Sequence, residues 1–153
     1  MTERVDFYVL NSTVAQLRLT FACRLAEKAY LKDMSVVVLS DSEAEARALD
    51  ELMWTFNERS FVPHDVLGAD PPGVAAAPVQ LTPDLERAGP ADLLVNLGAR
   101  LPVRLERFAR IAEIIDGDAD RRRLGRERFK AYRDLQLPVQ THQLDEAAGA
   151  LNP

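Results

Sequence analysis

Apolar residues follow two rhythms along this chain, short runs of three or four and positions spaced three and four apart, and their alternation predicts the elements. Val5-Asp6-Phe7-Tyr8-Val9-Leu10 is rich in β-formers and too apolar for a half-exposed strand, so it predicts a buried, central one. Asn11-Ser12-Thr13 offers helix caps before a run to about Lys32, in which Val14, Leu17, Phe21, Leu25 and Ala29 recur at helical spacing. Met34-Ser35-Val36-Val37-Val38-Leu39 is a second buried strand, the clearest in the chain. Asp41 or Ser42 then caps a helix to about Trp54, with Glu43 and Glu45 in its first turn, where the helix dipole favours acids. Strand, helix, strand, helix at these lengths predicts a parallel sheet with right-handed crossovers.

The middle is less regular. Phe61-Val62-Pro63-His64 is a candidate short strand, 68–78 a loop punctuated by Asp70-Pro71-Pro72-Gly73, and Val79-Gln80-Leu81 another candidate strand. Leu93 to Leu97 is a firmer one. Between Pro102 and Ile115 the pattern fits either helix or strand, and the reading taken is a short helical turn followed by a strand over 110–115. Asp116, Asp118 or Asp120 starts a helix running to about Leu135, ahead of Pro138. About 100° per residue puts Arg122, Arg126, Phe129, Lys130 and Arg133 on one of its faces, with Leu124, Ala131 and Leu135 opposite, toward a core. The expected fold is α/β, a three-layer Rossmann-like sandwich with a mostly parallel central sheet and no nucleotide site. Residues 1–140 form one domain in this reading, and 141–153 a polar, flexible tail.

Charge changes the picture at one place. The protein has 153 residues and a net charge of −5, so as a whole it repels DNA and anionic membranes. Yet residues 121–133 hold seven basic side chains against one acid, Glu127. A basic stripe with one aromatic in it suits an acidic peptide ending in something apolar; a solvated charged face is the plain alternative. Cys23, the one cysteine, sits in a helix-like apolar run and is expected to be a buried thiol, without a disulfide or a cysteine-based zinc site. There is no signal-peptide layout and no run of ~20 apolar residues, so the expected place is the cytoplasm, away from membranes.

Motifs for chemistry are missing or broken. The turn after Leu10 lacks the glycines that close approach to a phosphate needs, so no nucleotide cofactor is expected. Asp116, Asp118, Asp120 and Glu127 fall at positions 1, 3, 5 and 12 of a calcium-loop pattern, but the sixth position is Arg121 where glycine is needed, and no metal is expected. His64 and His142 pair with no nucleophile, and no serine lies in a nucleophile elbow. A binding module is favoured over an enzyme. Trp54, Phe61, Val62 and Pro63 form either packing under a loop or an exposed patch of the residue types found at protein interfaces.

Phe7-Tyr8-Val9-Leu10, Leu49-Asp50-Glu51-Leu52-Met53-Trp54, Ser60-Phe61-Val62-Pro63-His64 and Arg126-Glu127-Arg128-Phe129-Lys130-Ala131-Tyr132-Arg133, in that order, resemble the chi subunit family of the bacterial DNA polymerase III holoenzyme. The resemblance implies a non-catalytic subunit of a DNA-directed DNA polymerase complex. Such a subunit binds the acidic C-terminal tail of single-stranded-DNA-binding protein and links it to the clamp loader through psi. It implies that Arg126, Phe129 and Lys130, with Arg122 beside them, hold the tail, and that Phe129 and Ile115 wall a pocket for its terminal Phe. It also implies that Trp54 and Phe61, with Val62 and Pro63, meet psi or an accessory helicase. Nucleic acid is then contacted indirectly, and the subunit is a monomer outside its complex. The family's tyrosine is Phe129 here, which loses a hydroxyl contact and keeps the apolar wall. The alternative is a module binding single-stranded nucleic acid directly through the arginine-rich helix.

Overall fold

A computed structural model describes residues 2–68 and 77–144. Among these residues seven strands form one sheet: β1 (Arg4–Leu10), β2 (Val36–Leu39), β3 (His64–Val66), β4 (Val79–Thr82), β5 (Ala91–Asn96), β6 (Phe108–Ile115) and β7 (Val139–Leu144). Their order is β3-β4-β2-β5-β6-β1-β7, and every pairing is parallel. Three helices cover it: α1 (Ala15–Tyr30), α2 (Glu43–Thr55) and α3 (Ala119–Asp134), with single 3-10 turns at Leu85–Arg87 and Leu105–Arg107. This is the α/β sandwich that the sequence pattern predicts.

A parallel sheet must be covered on both faces, and successive residues of one strand serve opposite faces. On β6, Ala112 and Ile114 pack with Phe21, Leu25, Ala26 and Leu49 of α1 and α2. Ile111 and Ile115 pack on the other side with Phe7, Leu94 and Tyr132 of α3. Burial of these faces is the main stabilising term, at ~25 cal/mol per Å² of apolar surface removed from water.

The helix starts differ in detail from expectation. Ser42 caps α2 by accepting from Glu45 N–H (3.1 Å), and Asp118 caps α3 by accepting from Arg121 N–H (2.9 Å). Of the caps expected for α1, none acts on the helix: it starts at Ala15, and Ser12 Oγ accepts instead from Val14 N–H at 3.1 Å, shaping the turn before it. Arg18 is buried and clips α1 to its neighbours, donating to Leu97 O (3.2 Å) and Glu45 Oε2 (2.6 Å).

Three corrections concern the chain's later part. The strand proposed at 61–64 is displaced to His64–Val66, because Pro63 has no N–H to give a ladder. Leu124 and Ala131 are only half-buried and Leu135 is 55% exposed, so they do not make the core side of α3; Gly125, Arg128 and Tyr132 do. Residues 141–144, expected in a loose tail, complete β7, which pairs with β1 from Val5↔Val139 to Leu10↔Leu144. Of the expected loop, 69–76 lie outside the described residues, as do 145–153 of the tail.

Candidate functional site

The orientation of α3 is set from beneath by one buried carboxylate. Glu113 on β6 is cut off from water and faces three donor side chains. Arg128 Nε donates at 3.0 Å, Tyr132 OH at 2.6 Å, and Asn96 Nδ2 to both oxygens at 3.1 and 2.9 Å. Arg128 also donates to Ala99 O at 2.8 Å. Burial pushes the Glu113 carboxyl above the ordinary range, while Arg128 and the hydrogen bonds pull it back. Tyr132 is likewise pushed above the usual tyrosine range, first by burial and then by Glu113. Two residues a turn apart on α3, Arg128 and Tyr132, are thus fixed to one point on the sheet.

With that face held down, the next face of the helix turns toward β1 and β7. Between them lies a hollow of about 380 Å³ lined by Phe7, Val9, Ile115, Arg122, Gly125, Arg126, Phe129, Thr141 and Gln143. Helix and sheet lie close at Gly125: a Cβ there would meet the Cδ1 end of the Ile115 side chain, so a larger residue must displace that end or lift the helix. Phe129 is half-buried, its ring 5.3 Å from that of Phe7, with the Arg133 guanidinium 6.0 Å from its centre.

The cations around the hollow are not equivalent. Arg122 Nε donates to Asp116 O at 3.2 Å, Arg121 pairs with buried Asp116 at 3.2 Å, and Arg123 faces Glu127 at 3.7 Å. Arg126 and Lys130 are exposed and have no hydrogen bond or ion pair to any described residue. Arg126 stands in the wall of the hollow, whereas Lys130 lies outside its lining. A guanidinium with free donors at the mouth of an apolar hollow can take a carboxylate bidentately while the hollow takes an apolar group. Asp116, first acid of the broken calcium pattern, is spent on Arg121 and on Asp118 N–H at 3.1 Å.

Of the residues expected at this site, Arg122, Arg126, Phe129 and Ile115 come together, while Lys130 is exposed outside the lining. Sequence reasoning missed Gly125, Phe7 and Val9, and missed Thr141 and Gln143 because they were assigned to the tail. An alternation in Val139-Gln140-Thr141-His142 was available as a strand signal, weakened by its polarity.

The aromatic pair is a separate surface. Trp54 is 56% exposed and Phe61 65%, with ring centres 5.5 Å apart, and Trp54 lies 4.7 Å from the His64 ring. That imidazole is held by Val62 O at 2.7 Å and Asp50 Oδ1 at 3.1 Å. Pro63 is half-buried. Val62 is a correction: at 2% exposure its side chain belongs to the core and is closed to a partner. No helix among the described residues is long and apolar enough to cross a membrane.

Comparison with known proteins adds a family to this geometry. The model described as "DNA polymerase III chi subunit, HolC" matches residues 1–140. The chain is 38% identical over 141 residues to DNA polymerase III subunit chi of Pseudomonas aeruginosa, covering 92% of this chain and 96% of that protein. To the subunit of the same name in Escherichia coli it is 30% identical over 140 residues, 86% and 91% of the two. A chain of a solved S. cerevisiae Dbp5 assembly superposes with a TM-score of 0.63 at 11% identity, over 96% of this chain and 43% of that one, a likeness of fold alone.

Proposed function

Because the chain belongs to the chi subunit family of DNA polymerase III, we propose that it serves replication as a non-catalytic adaptor in that polymerase complex. In this reading the hollow beside α3 receives the acidic C-terminal tail of single-stranded-DNA-binding protein. Arg126 takes the terminal carboxylate, Ile115 and Phe129 enclose the last apolar side chain, and Lys130 and Arg122 face the acids upstream. Trp54 and Phe61, flanked by Pro63, meet psi or an equivalent partner such as an accessory helicase, which ties the protein to the clamp loader. The setting is cytoplasmic, DNA is reached through the coated strand, and the free subunit is a monomer.

The observation that carries this reading is Arg126, unpartnered among the described residues, at the wall of a hollow lined by Ile115 and Phe7. A monomeric, otherwise acidic protein gains nothing in stability from a free guanidinium beside apolar surface, whereas a peptide carboxylate would pair with it. Affinity should weaken with added salt, since exposed charges are screened over ~10 Å at 0.1 M.

The test is a pull-down with full-length and tail-truncated single-stranded-DNA-binding protein. Capture that needs the tail supports the reading, and equal capture of both forms sinks it. If naked single-stranded DNA competes with the tail and shows a steep salt slope, the arginine-rich helix is itself a nucleic-acid site. The scarcity of exposed rings argues against that, because bases need stacking platforms and here Phe129 is half-buried and Phe7 buried.

A further inference from the structure

The sheet ends in two edges of very different character. At one end β3 is three residues long, carries Asp65 and follows Pro63. At the other β7 is six residues, Val-Gln-Thr-His-Gln-Leu, with no lysine, arginine, acid or proline. Open edges recruit further strands, and proteins blunt them with shortness, charge or proline. The β3 edge uses all three devices, whereas the β7 edge is neither short nor charged, and Pro138 before it addresses β1 and leaves the outer side open.

The ladder with β1 tells which backbone groups of β7 are spare. Val5 N–H donates to Pro138 O and Asn11 N–H to Leu144 O, both at 2.9 Å. In a parallel ladder alternate residues bond to a given neighbour, so 138, 140, 142 and 144 address β1 while Val139, Thr141 and Gln143 point their N–H and C=O outward. Among the described residues nothing pairs with that outer side. Thr141 and Gln143 also line the hollow, opposite Arg122, Arg126 and Phe129. Open edge and apolar hollow are therefore one continuous surface, flanked by cations on α3.

We propose that β7 is a strand-addition site. An acidic peptide with an apolar end lies extended along its outer edge, paired to the backbone of Thr141 and Gln143. Strand side chains alternate, so every second one faces α3, where the apolar end enters the hollow and carboxylates meet Arg122 and Arg126. The occupant follows from charge: Arg122 and Arg126 line the hollow beside an edge that carries no cation, and the same helix exposes Lys130 and Arg133. This inference rests on the tail-docking reading and adds how the peptide is held.

The experiment uses the tail peptide in its unmodified form and in versions N-methylated at one backbone amide each, with every side chain kept. Strand addition predicts losses of about fivefold or more at alternate positions, from the missing hydrogen bond, and little change between them. In the complex, amide exchange should slow at Thr141 and Gln143, with Gln140 and His142 unaffected because they already face β1. An unmodified peptide that does not bind overturns both readings. Tight binding that is indifferent to N-methylation overturns strand addition and leaves the docking site standing. Exchange at Thr141 and Gln143 that slows with protein concentration alone gives the edge to a second copy of this chain, and also overturns it.

Discussion

Tyr132 on α3 donates a 2.6 Å hydrogen bond to Glu113 on β6, and both side chains are shut away from water. Together with Arg128 it fixes the rotation of the helix, and rotation decides which residues reach the hollow. Tyr132→Phe leaves a buried carboxylate one donor short, so it should cost ~1–3 kcal/mol in urea denaturation. A variant as stable as the parent would mean that packing alone orients α3.

Arg126→Ala should weaken binding of the tail peptide tenfold or more, with the thermal midpoint unchanged, since the guanidinium makes no hydrogen bond or ion pair to a described residue. Losing a charge-assisted bond of this kind removes ~1.5–3 kcal/mol. Arg123→Ala, on a residue that faces Glu127 and stands outside the hollow, is the control expected to stay near parental affinity. Calorimetry at two salt concentrations reads both.

Gly125→Val puts a branched side chain where even a Cβ meets Ile115. Either α3 lifts or the hollow fills, at a cost of ~1–3 kcal/mol in stability. A peptide ending in Phe should lose far more affinity than one ending in Ala, and equal losses would show that the hollow does not seat the last side chain.

Trp54→Ala should change stability by no more than ~0.5 kcal/mol, as an exposed side chain does, while abolishing capture of a psi-like partner. Val62→Ala should do the reverse, costing ~1.5 kcal/mol through lost buried methyl groups and leaving capture intact. Co-purification alongside thermal melts separates the two roles.

Burial pushes the Cys23 thiol up to about 12. The unfolded chain ionises it near ~8.5, so above that pH the unfolded state gains thiolate that the fold refuses. Stability should therefore fall as pH rises from there toward the raised value, by at most ~1.4 kcal/mol per unit, with no effect below. Cys23→Ala should lack that alkaline slope, and a thiol reagent at pH 8 should label the parent only after denaturant is added.

Strong local patterns were legible without coordinates. Val36-Val37-Val38 could only be a buried strand, and Asp41 or Ser42 ahead of Glu43 and Glu45 marked a helix start, which the fold caps with Ser42. The stripe of Arg122, Arg126 and Phe129 followed from helical geometry. Less legible was the buried side of the same helix: helical projection already turned Arg128 nearer to it than its neighbours, but Tyr132 carries a polar group that a polarity count turns outward. Their burial depends on Glu113, fifteen or more residues away in sequence, supplying the matching acceptor.

β7 shows the same limit from the other direction. Its residues lack the hydrophobicity of an interior strand, since its outer edge pairs with no other described strand, so composition pointed to a tail. What the chain's own order determined was the alternation of elements, the basic stripe and the family motifs, all properties of spacing between near neighbours. What only folding in three dimensions decided was that a glycine, an isoleucine and a polar edge strand meet to make a hollow under that stripe. Such a space belongs to no segment by itself: it exists because helix and sheet approach at a distance set by buried contacts remote in sequence.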